Sequence, residues 1–323
     1  MKNRSVVVTA AAGFVGAHLI AALINNNYTD ITAIVHNNRS LPKLKYILNL
    51  YNIDINNRSV KIVIGELTDY LFIKEIFQGK NIVFNTAAVV SFSKSRESEM
   101  ISSNVRITEC LTEAAIECGI DKFVHVSSIA ALGTTPYPEK ITENSIIQTL
   151  QSKSAYGISK FLSENVVWKA SSRGLNCTVA LPAVILGNGD SRYGGSPKLT
   201  KLYSKCTLFY TEGITGYVSV EDVVRALILM SEKDESIGQR YVLCSENLSF
   251  REIFTLCSTS EPKYKLPDWL LTTVKHVIQF INTIGITTPI SSSTLDTLRE
   301  KCAYNGDKIT KQLSFNYTPL KRY

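Results

Sequence analysis

The sequence predicts an α/β fold in which a doubly wound parallel sheet is followed by a smaller C-terminal region. In the first half of the 323-residue chain, short β-branched runs such as 5–9 (SVVVT) alternate with longer helical patterns. The runs are apolar throughout, which is typical of parallel strands buried on both faces. The pattern becomes irregular after residue 186, where a stretch rich in Gly, Ser and Pro begins. These observations favour βαβ units with an added region at one edge.

The elements follow in a regular order. We predict strands at 5–9, 31–36, 60–64, 82–85 and 123–126, an apolar run at 179–186, and helices at 14–26, 42–50, 102–118 and 155–170. After a loop at 187–197 we predict strands at 207–210 and 240–244 and helices at 220–231, 250–258, 268–284 and 292–304. Residues 1–186 are expected to form the main domain. Residues 187–323 are expected to lie over the carboxyl ends of the strands, with roughly 217–246 returning to the sheet.

Composition excludes several classes of protein. The net charge of +7 is spread along the chain, so we expect no nucleic-acid partner and a mild preference for anions such as phosphates. The 7 cysteines are dispersed and form no C-x-x-C pair, which predicts free thiols in the cytoplasm and no metal site. The N-terminal apolar run is interpreted as strand, loop and helix. No membrane span is expected, since polar residues interrupt 269–286, which favours a packed amphipathic helix over a surface anchor.

A loop of small residues follows the first predicted strand. Residues 9–16 read TAAAGFVG, with Gly13 and Gly16 ahead of the first predicted helix. Of two such glycines, one permits close approach of a pyrophosphate and the other close packing of helix on strand. The helix N-terminus would face the phosphates with free N–H groups. Glycines with this spacing also occur for packing reasons alone. The prediction of a pyrophosphate site therefore rests on their position between a predicted strand and a predicted helix.

A second motif combines a phenol, an ammonium and two hydroxyls. Tyr156 and Lys160 lie four residues apart at the start of a predicted helix and share one face. A nearby ammonium lowers the pKa of a phenol, which is about 10 in isolation, toward a useful value. Ser127 and Ser128 end a predicted strand, where a serine can donate to a substrate carbonyl oxygen. The alternatives are a solvated Tyr–Lys pair and serines that cap a turn.

The motifs together resemble the extended short-chain dehydrogenase/reductase superfamily, most closely its dihydroflavonol-reductase and 3β-hydroxysteroid-dehydrogenase branches. The first loop is similar to T-G-x-x-G-x-x-G, with Ala10 in place of the first glycine. Residues 65–69 (GELTD) resemble G-D-L-x-D, 85–88 (NTAA) resemble H-x-A-A, and 218–223 (VSVEDV) resemble V-H-V-x-D-V. Asn104 begins a motif similar to N-V-x-G-T. Residues 181–182 (LP) resemble R-P, with a leucine in place of the arginine before Pro182.

The resemblance implies an NAD(P)-binding Rossmann fold and assigns roles. Tyr156 is the general acid in carbonyl reduction or the base in alcohol oxidation. Lys160 lowers its pKa and binds the nicotinamide ribose, and Ser128 orients the substrate oxygen. The residues expected to bind cofactor are Thr9, Ala10, Ala12, Gly13, Phe14, Val15, Gly16, His36, Asn37, Arg39, Glu66, Leu67, Thr86, Ala87, Ala88, Asn104, Ser127, Tyr156, Lys160, Pro182 and Val184.

The cofactor preference depends on the end of the second strand. NAD-specific Rossmann proteins place an acid there, whereas an arginine accommodates the 2′-phosphate of NADP. Residues 35–39 (VHNNR) contain no acid, so Arg39, with a contribution from Asn37, favours NADP(H) over NAD(H). The alternative is that Arg39 is a solvated loop residue. The methyl group of Ala10 is expected to strain the turn or crowd the adenosine.

The leading hypothesis is an NAD(P)-dependent reductase or dehydrogenase that acts on a small carbonyl or alcohol. A nucleotide-sugar epimerase or dehydratase on the same fold is one alternative, and a non-catalytic cofactor sensor or scaffold is another. The substrate would lie near 91–93, 183–189 and the loop around Tyr193, which lack an evident cluster of phosphate-binding arginines and so favour an apolar carbonyl. The resemblance also implies a possible homodimer through the helices predicted at 102–118 and 155–170.

Overall fold

The computed structural model describes residues 4–90, 94–193, 195–258, 260–267, 269–273, 296 and 298–322. Its strands are β1 (Val6–Val8), β2 (Ile31–Val35), β3 (Val60–Ile64), β4 (Ile82–Asn85), β5 (Lys122–Val126), β6 (Lys140–Ile141), β7 (Cys177–Pro182), β8 (Val184–Leu186), β9 (Phe209–Tyr210), β10 (Ile214–Ser219), β11 (Arg240–Leu243), β12 (Glu246–Ser249), β13 (Tyr264–Lys265) and β14 (Ala303–Tyr304). The helices are α1 (Phe14–Asn25), α2 (Leu41–Leu50), α3 (Tyr70–Phe77), α4 (Glu97–Glu117), α5 (Ala155–Ser171), α6 (Gly195–Tyr203), α7 (Val220–Glu232), α8 (Phe250–Cys257) and α9 (Asp307–Leu313).

The main sheet has seven parallel strands in the order β11-β7-β5-β4-β1-β2-β3. Strand β1 lies between β2 and β4, with Val6 opposite both Ile31 and Ile82. The chain reverses its direction of winding at this point, so the connections after β1 and β4 diverge and leave a crevice at the carboxyl ends of the strands. The predicted doubly wound parallel sheet is confirmed.

Continuous burial explains why these segments are strands. Every residue of β1, β2, β4, β5 and β7 is buried, whereas the edge strand β3 alternates between partly buried and exposed residues. Helix α1 packs against α2 and α7, and α4 packs against α3 and α5, so that helices cover the sheet in two groups. The sheet therefore holds the core and fixes the strand ends at which ligands bind in this architecture.

A smaller unit follows β7. Strand β10 pairs in parallel with β8 and antiparallel with β12, outside the main sheet. An aromatic cluster of Tyr203, Tyr217, Phe250 and Phe254 forms the core beneath this small sheet. Strand β11 returns to the main sheet and pairs with β7, and β14 pairs with β6. The second half of the chain is thus attached to the first at several points.

Two sequence predictions are wrong in part. The loop predicted at 187–197 ends early, because α6 begins at Gly195. Pro197 lies in the first turn of α6, where the N–H that proline lacks has no partner within the helix. The Gly and Ser residues before it predicted a loop and so concealed the start of the helix. The helix predicted at 292–304 is wrong at its end, since Ala303–Tyr304 form β14. A partner strand that lies far away in the sequence decides this segment.

Other elements were missed or lie outside the described residues. Helices α3 and α9 and strands β6, β10, β12 and β13 were not predicted. The predicted helix at 268–284 lies largely outside the described residues, as does most of 292–304. None of the helices within the described ranges has the length and apolar character needed to cross a membrane.

Candidate active site

The small-residue loop joins β1 to α1 and is tightly packed. Gly13 precedes α1 as its N-cap with no side-chain cap, and its N–H donates to Ala10 O at 2.7 Å. A Cβ atom on Gly16 would lie 2.7 Å from Ala10 O and 3.0 Å from Thr86 Oγ1. Only glycine therefore lets α1 approach the loop this closely. Phe14 and Val15 begin α1, whose uncapped first N–H groups fit a pyrophosphate beside them.

The turn carries a strained residue where the sequence departs from the resembling family. Ala10 has a φ of 47°, in the left-handed region that favours glycine. Its methyl group therefore costs conformational energy, as the sequence led us to expect. The neighbouring Ala12 has no such φ and is partly buried. Within residues 9–16, Ala10 is the residue with a positive φ.

Polar residues gather where β2 and β3 end. His36 Nδ1 lies 3.0 Å from Glu66 Oε1, and both side chains are largely exposed. Asn37 Oδ1 accepts a hydrogen bond from Ser40 Oγ at 3.3 Å. Arg39 is exposed and has no hydrogen bond or ion pair to any other described residue, so its guanidinium is free for an anion. Leu67 packs on the core below them.

The segment after β4 forms the opposite wall of the crevice. Thr86 Oγ1 donates to Thr9 O at 2.6 Å, which ties this wall to the loop. Ala87 follows, with its N–H directed at Asn85 Oδ1, and Ala88 continues the wall. Asn104 on α4 accepts from Val89 N–H at 2.7 Å and donates to Ser159 Oγ on α5 at 3.2 Å. The Asn104 amide is thus used in holding this wall against α5.

The predicted catalytic residues converge at the carboxyl end of β5. Ser128 Oγ accepts from Ala130 N–H at 3.2 Å. Lys160 is buried, and its Nζ donates to Val126 O at 2.8 Å. A Cβ atom on Gly157 would lie 2.7 Å from Ala130 O, so the start of α5 presses against the turn that holds Ser128. Two elements far apart in sequence therefore bring the phenol, hydroxyl and ammonium together.

Burial dominates the protonation of this site. Burial lowers the pKa of Lys160 to about 8, and the Glu164 carboxylate opposes this shift. Burial raises the pKa of Tyr156, while the hydrogen bond with Ser128 opposes the rise. Among the described residues, Ser128 is the group that opposes this rise, and the effect predicted for Lys160 on the Tyr156 pKa stays a prediction.

The loop after β8 closes the crevice over α1. Cβ atoms on Gly187 and Gly189 would each lie 3.2 Å from the Phe14 ring, so the loop rests on this ring. His18 Nε2 lies 3.0 Å from Asn188 O, which ties the loop to α1. Pro182 ends β7 and is buried, and Val184 begins β8 and packs on the small aromatic core. Of the predicted substrate segments, 91–93 and the Tyr193 side chain lie outside the described residues.

Sequence reasoning missed two buried polar groups beside the catalytic residues. Glu164 accepts a hydrogen bond from Ser127 Oγ at 3.1 Å, which turns the first serine away from Tyr156. His125 Nδ1 lies 3.0 Å from Asn85 Nδ2, and its Nε2 has no partner among the described residues. A signal for Glu164 was present, because it follows Lys160 by four residues and so shares its face of α5.

The geometry agrees with comparisons to known proteins. The pattern of the NAD-dependent epimerase/dehydratase family matches residues 6–244. The chain belongs to this family. It is 25% identical over 325 residues to a putative dihydroflavonol 4-reductase of Synechocystis, with 98% of this chain and 91% of that protein covered. It is 26% identical over 271 residues to sterol demethylase protein B of Methylococcus capsulatus, covering 82% and 78%.

Solved structures share the fold. UDP-glucose 4-epimerase from Thermotoga maritima superposes with a TM-score of 0.71 at 22% identity, over 98% of this chain and 94% of that one. The family resemblance expected from the sequence is confirmed, and this family member is an NAD(P)-dependent oxidoreductase of the extended short-chain type. The loop, the uncapped helix and the crevice walls described above fit a dinucleotide at this position.

Proposed function

We propose that this protein is an NADP(H)-dependent carbonyl reductase that uses Ser128, Tyr156 and Lys160. The observation that carries the proposal is the packing of the start of α5 against the turn that holds Ser128, which gathers Ser128, Tyr156 and the buried Lys160 at the carboxyl end of β5. This end of the sheet also holds the dinucleotide-binding loop. A proton donor, an oxygen-orienting hydroxyl and a cofactor crevice therefore share one site.

The proposed roles follow from the chemistry of each group. When bound, the nicotinamide supplies the hydride that reduces the carbonyl carbon. Tyr156 donates its phenolic proton to the carbonyl oxygen, which becomes the alcohol. Ser128 donates a hydrogen bond to the same oxygen and holds it in line with Tyr156. Lys160, held by Val126 O, stabilises the phenolate that remains and binds the nicotinamide ribose.

The preference for NADP(H) is supported by the free guanidinium of Arg39 where β2 ends. No carboxylate occurs at residues 36–39 to bind a 2′-hydroxyl. Glu66 is nearby, at the end of β3, and its Oε1 lies 3.0 Å from His36 Nδ1. We assign residues 1–186 to cofactor binding and 187–323 mainly to substrate binding, with a cytoplasmic location.

An apolar carbonyl is the substrate class we favour. The curated relatives named above and a cinnamoyl-CoA reductase of Petunia hybrida, 26% identical over 277 residues, carry names of reductases or sterol-modifying proteins. The loop near the site carries Gly187 and Gly189 against the Phe14 ring of α1, and its arginine, Arg192, pairs with Asp190. The alternative, an epimerase or dehydratase of nucleotide sugars, is supported by the family description and by the epimerase fold match.

The test is NADPH oxidation with a panel of aromatic ketones, aldehydes and thioesters. Tyr156→Phe should lower turnover by a factor of about 100 or more, the usual worth of a positioned acid. Tyr264→Phe, which changes an exposed tyrosine, should leave turnover unchanged. Full activity of Tyr156→Phe would refute the proposal. Turnover of nucleotide sugars without net NADPH consumption would favour the epimerase, and cofactor binding without any turnover a sensor.

A further inference from the structure

A buried carboxylate lies one helical turn after Lys160. Glu164 is 2% exposed, and its two oxygens accept three hydrogen bonds. Ser127 Oγ donates at 3.1 Å, Trp168 Nε1 at 3.1 Å and Arg240 Nη1 at 2.8 Å. A buried carboxylate is costly unless it is paired, and here it is paired with an arginine from a different strand. The proposed reaction leaves this pair without a role.

The pair connects three parts of the site. Ser127 is the residue before Ser128, so its hydroxyl anchors the catalytic end of β5 to Glu164. The same side of α5 carries Lys160, because residues four apart on a helix lie about 5–6 Å apart at Cβ. Arg240 comes from β11 and also donates to Glu143 O, which anchors it from the far side. The carboxylate is thus fixed in place one helical turn after Lys160.

The other described groups around Lys160 do not supply a negative charge in place of the Glu164 carboxylate. His125 on β5 interacts with Lys160, but burial lowers the pKa of His125 far below its usual value, so it stays neutral. Helix α4 contributes the uncharged Asn104 through Ser159, and its Glu113 pairs with Arg173 beyond the end of α5. Tyr156 is neutral while its pKa is raised. Among the described residues, Glu164 is the anion that acts on Lys160.

We propose that Glu164 is a positioning residue of the site: paired with Arg240, it anchors Ser127 and keeps Lys160 charged. The inference rests on the proposed function for its catalytic consequence, but its electrostatic part can be measured without turnover. Loss of the carboxylate would leave Arg240 as an unopposed positive charge near Lys160. Both effects would favour the neutral amine of Lys160.

The direct test is a pH titration of Lys160 by NMR in protein labelled with ¹³C at the lysine Cε, with Lys160→Met to assign the resonance. Glu164→Gln should lower the Lys160 pKa by about 1 unit, the effect of one lost neighbouring charge. Arg240→Gln should raise the pKa of Lys160, because the Glu164 carboxylate would then act on Lys160 without the opposing charge of the arginine. Glu113→Gln, an exposed ion-paired carboxylate on α4, is the matched control and should leave Lys160 unchanged.

The catalytic test is the pH profile of NADPH-dependent turnover. We take the pKa of Lys160 as about 8 in the wild type and about 7 in Glu164→Gln. The two proteins should then have nearly equal rates at pH 6, and Glu164→Gln should be about tenfold slower than the wild type at pH 9. Glu164→Asp keeps the charge and should keep the wild-type alkaline limb even if its rate is lower. A purely structural role would lower all rates equally at every pH.

The outcomes separate the two proposals. An inactive wild type with the expected NMR shifts would remove the proposed function and leave the electrostatic role of Glu164 intact. An active wild type whose Lys160 titrates alike in Glu164→Gln and Arg240→Gln would overturn the inference. If Glu164→Gln does not fold, Arg240→Gln and Glu164→Asp decide, because a Lys160 pKa that Arg240→Gln fails to raise contradicts the proposed coupling.

Discussion

Replacing Ala10 by glycine should stabilise the protein, because Ala10 has a φ of 47° in the dinucleotide-binding turn. An L-residue in the left-handed region costs about 1–2 kcal/mol. Glycine recovers this energy but also loses about 0.4–1 kcal/mol of stability, because it has more conformational entropy in the unfolded chain. The net gain is about 1 kcal/mol. For a chain of 323 residues, an unfolding entropy of about 2.1 cal/mol/K per residue converts this to a rise in Tm of about 1.5 °C.

Differential scanning fluorimetry and urea unfolding would measure the change, with Ala12→Gly as the matched control. Ala12 lies two residues away without a positive φ, so its replacement should lower stability by about 0.4–1 kcal/mol. Opposite signs at the two positions are the expected result. If Ala10→Gly lowered the free energy of unfolding as Ala12→Gly does, the left-handed strain at Ala10 would be refuted. A titration with NADPH should also show binding at least as tight in Ala10→Gly.

Three further perturbations test other parts of the structure. Burial lowers the pKa of His18 to about 4 from 6.5, so only the unfolded chain takes up a proton as the pH falls from 6.5 toward 4. The contribution of His18 to stability should therefore fall by about 2 kcal/mol by pH 5 in urea unfolding, in addition to the loss from the buried His125. His18→Gln should remove the His18 part of this slope, while the exposed His36→Gln keeps it. Arg39→Ala should weaken NADPH binding at least about tenfold in a fluorescence titration, without affecting NADH, whereas Lys45→Ala should change neither. Asp222 is wholly buried and binds Arg225 and Thr318, so Asp222→Ala should cost about 3 kcal/mol of unfolding free energy. Asp30→Ala, which breaks an exposed pair with Lys80, should cost less than about 1 kcal/mol.

The sequence predicted the Rossmann core well because its signals are local. Strands such as β2 and β5 are short apolar runs between turns, and burial on both faces makes such runs recognisable. The glycine spacing at 13 and 16 likewise reports a contact made within one strand–turn–helix unit. Predictions failed where a distant partner decides the conformation. Ala303–Tyr304 became β14 only because Lys140–Ile141 lies beside it.

The candidate site likewise contains features that the sequence predicted and features that only the structure showed. Tyr156 and Lys160 were recognised from their spacing along the chain, whereas Ser128 and the exceptional Ala10 were recognised from the family resemblance. Sequence could not show that burial would raise the pKa of Tyr156, since burial depends on what packs around a group. It also could not pair Glu164 with Arg240, which lie on different elements and meet only when β11 adds to β7.

By itself, then, the sequence determined the class of fold, the dinucleotide-binding turn and the identity of the residues proposed for chemistry, because each depends on neighbours within a few residues. The tertiary structure decided which serine binds Glu164, which arginine pairs with that carboxylate and how far the pKa of Lys160 falls. These properties depend on desolvation and on charges brought together from separate strands and helices. Coulomb interactions and burial act through space, and a linear sequence does not record those distances.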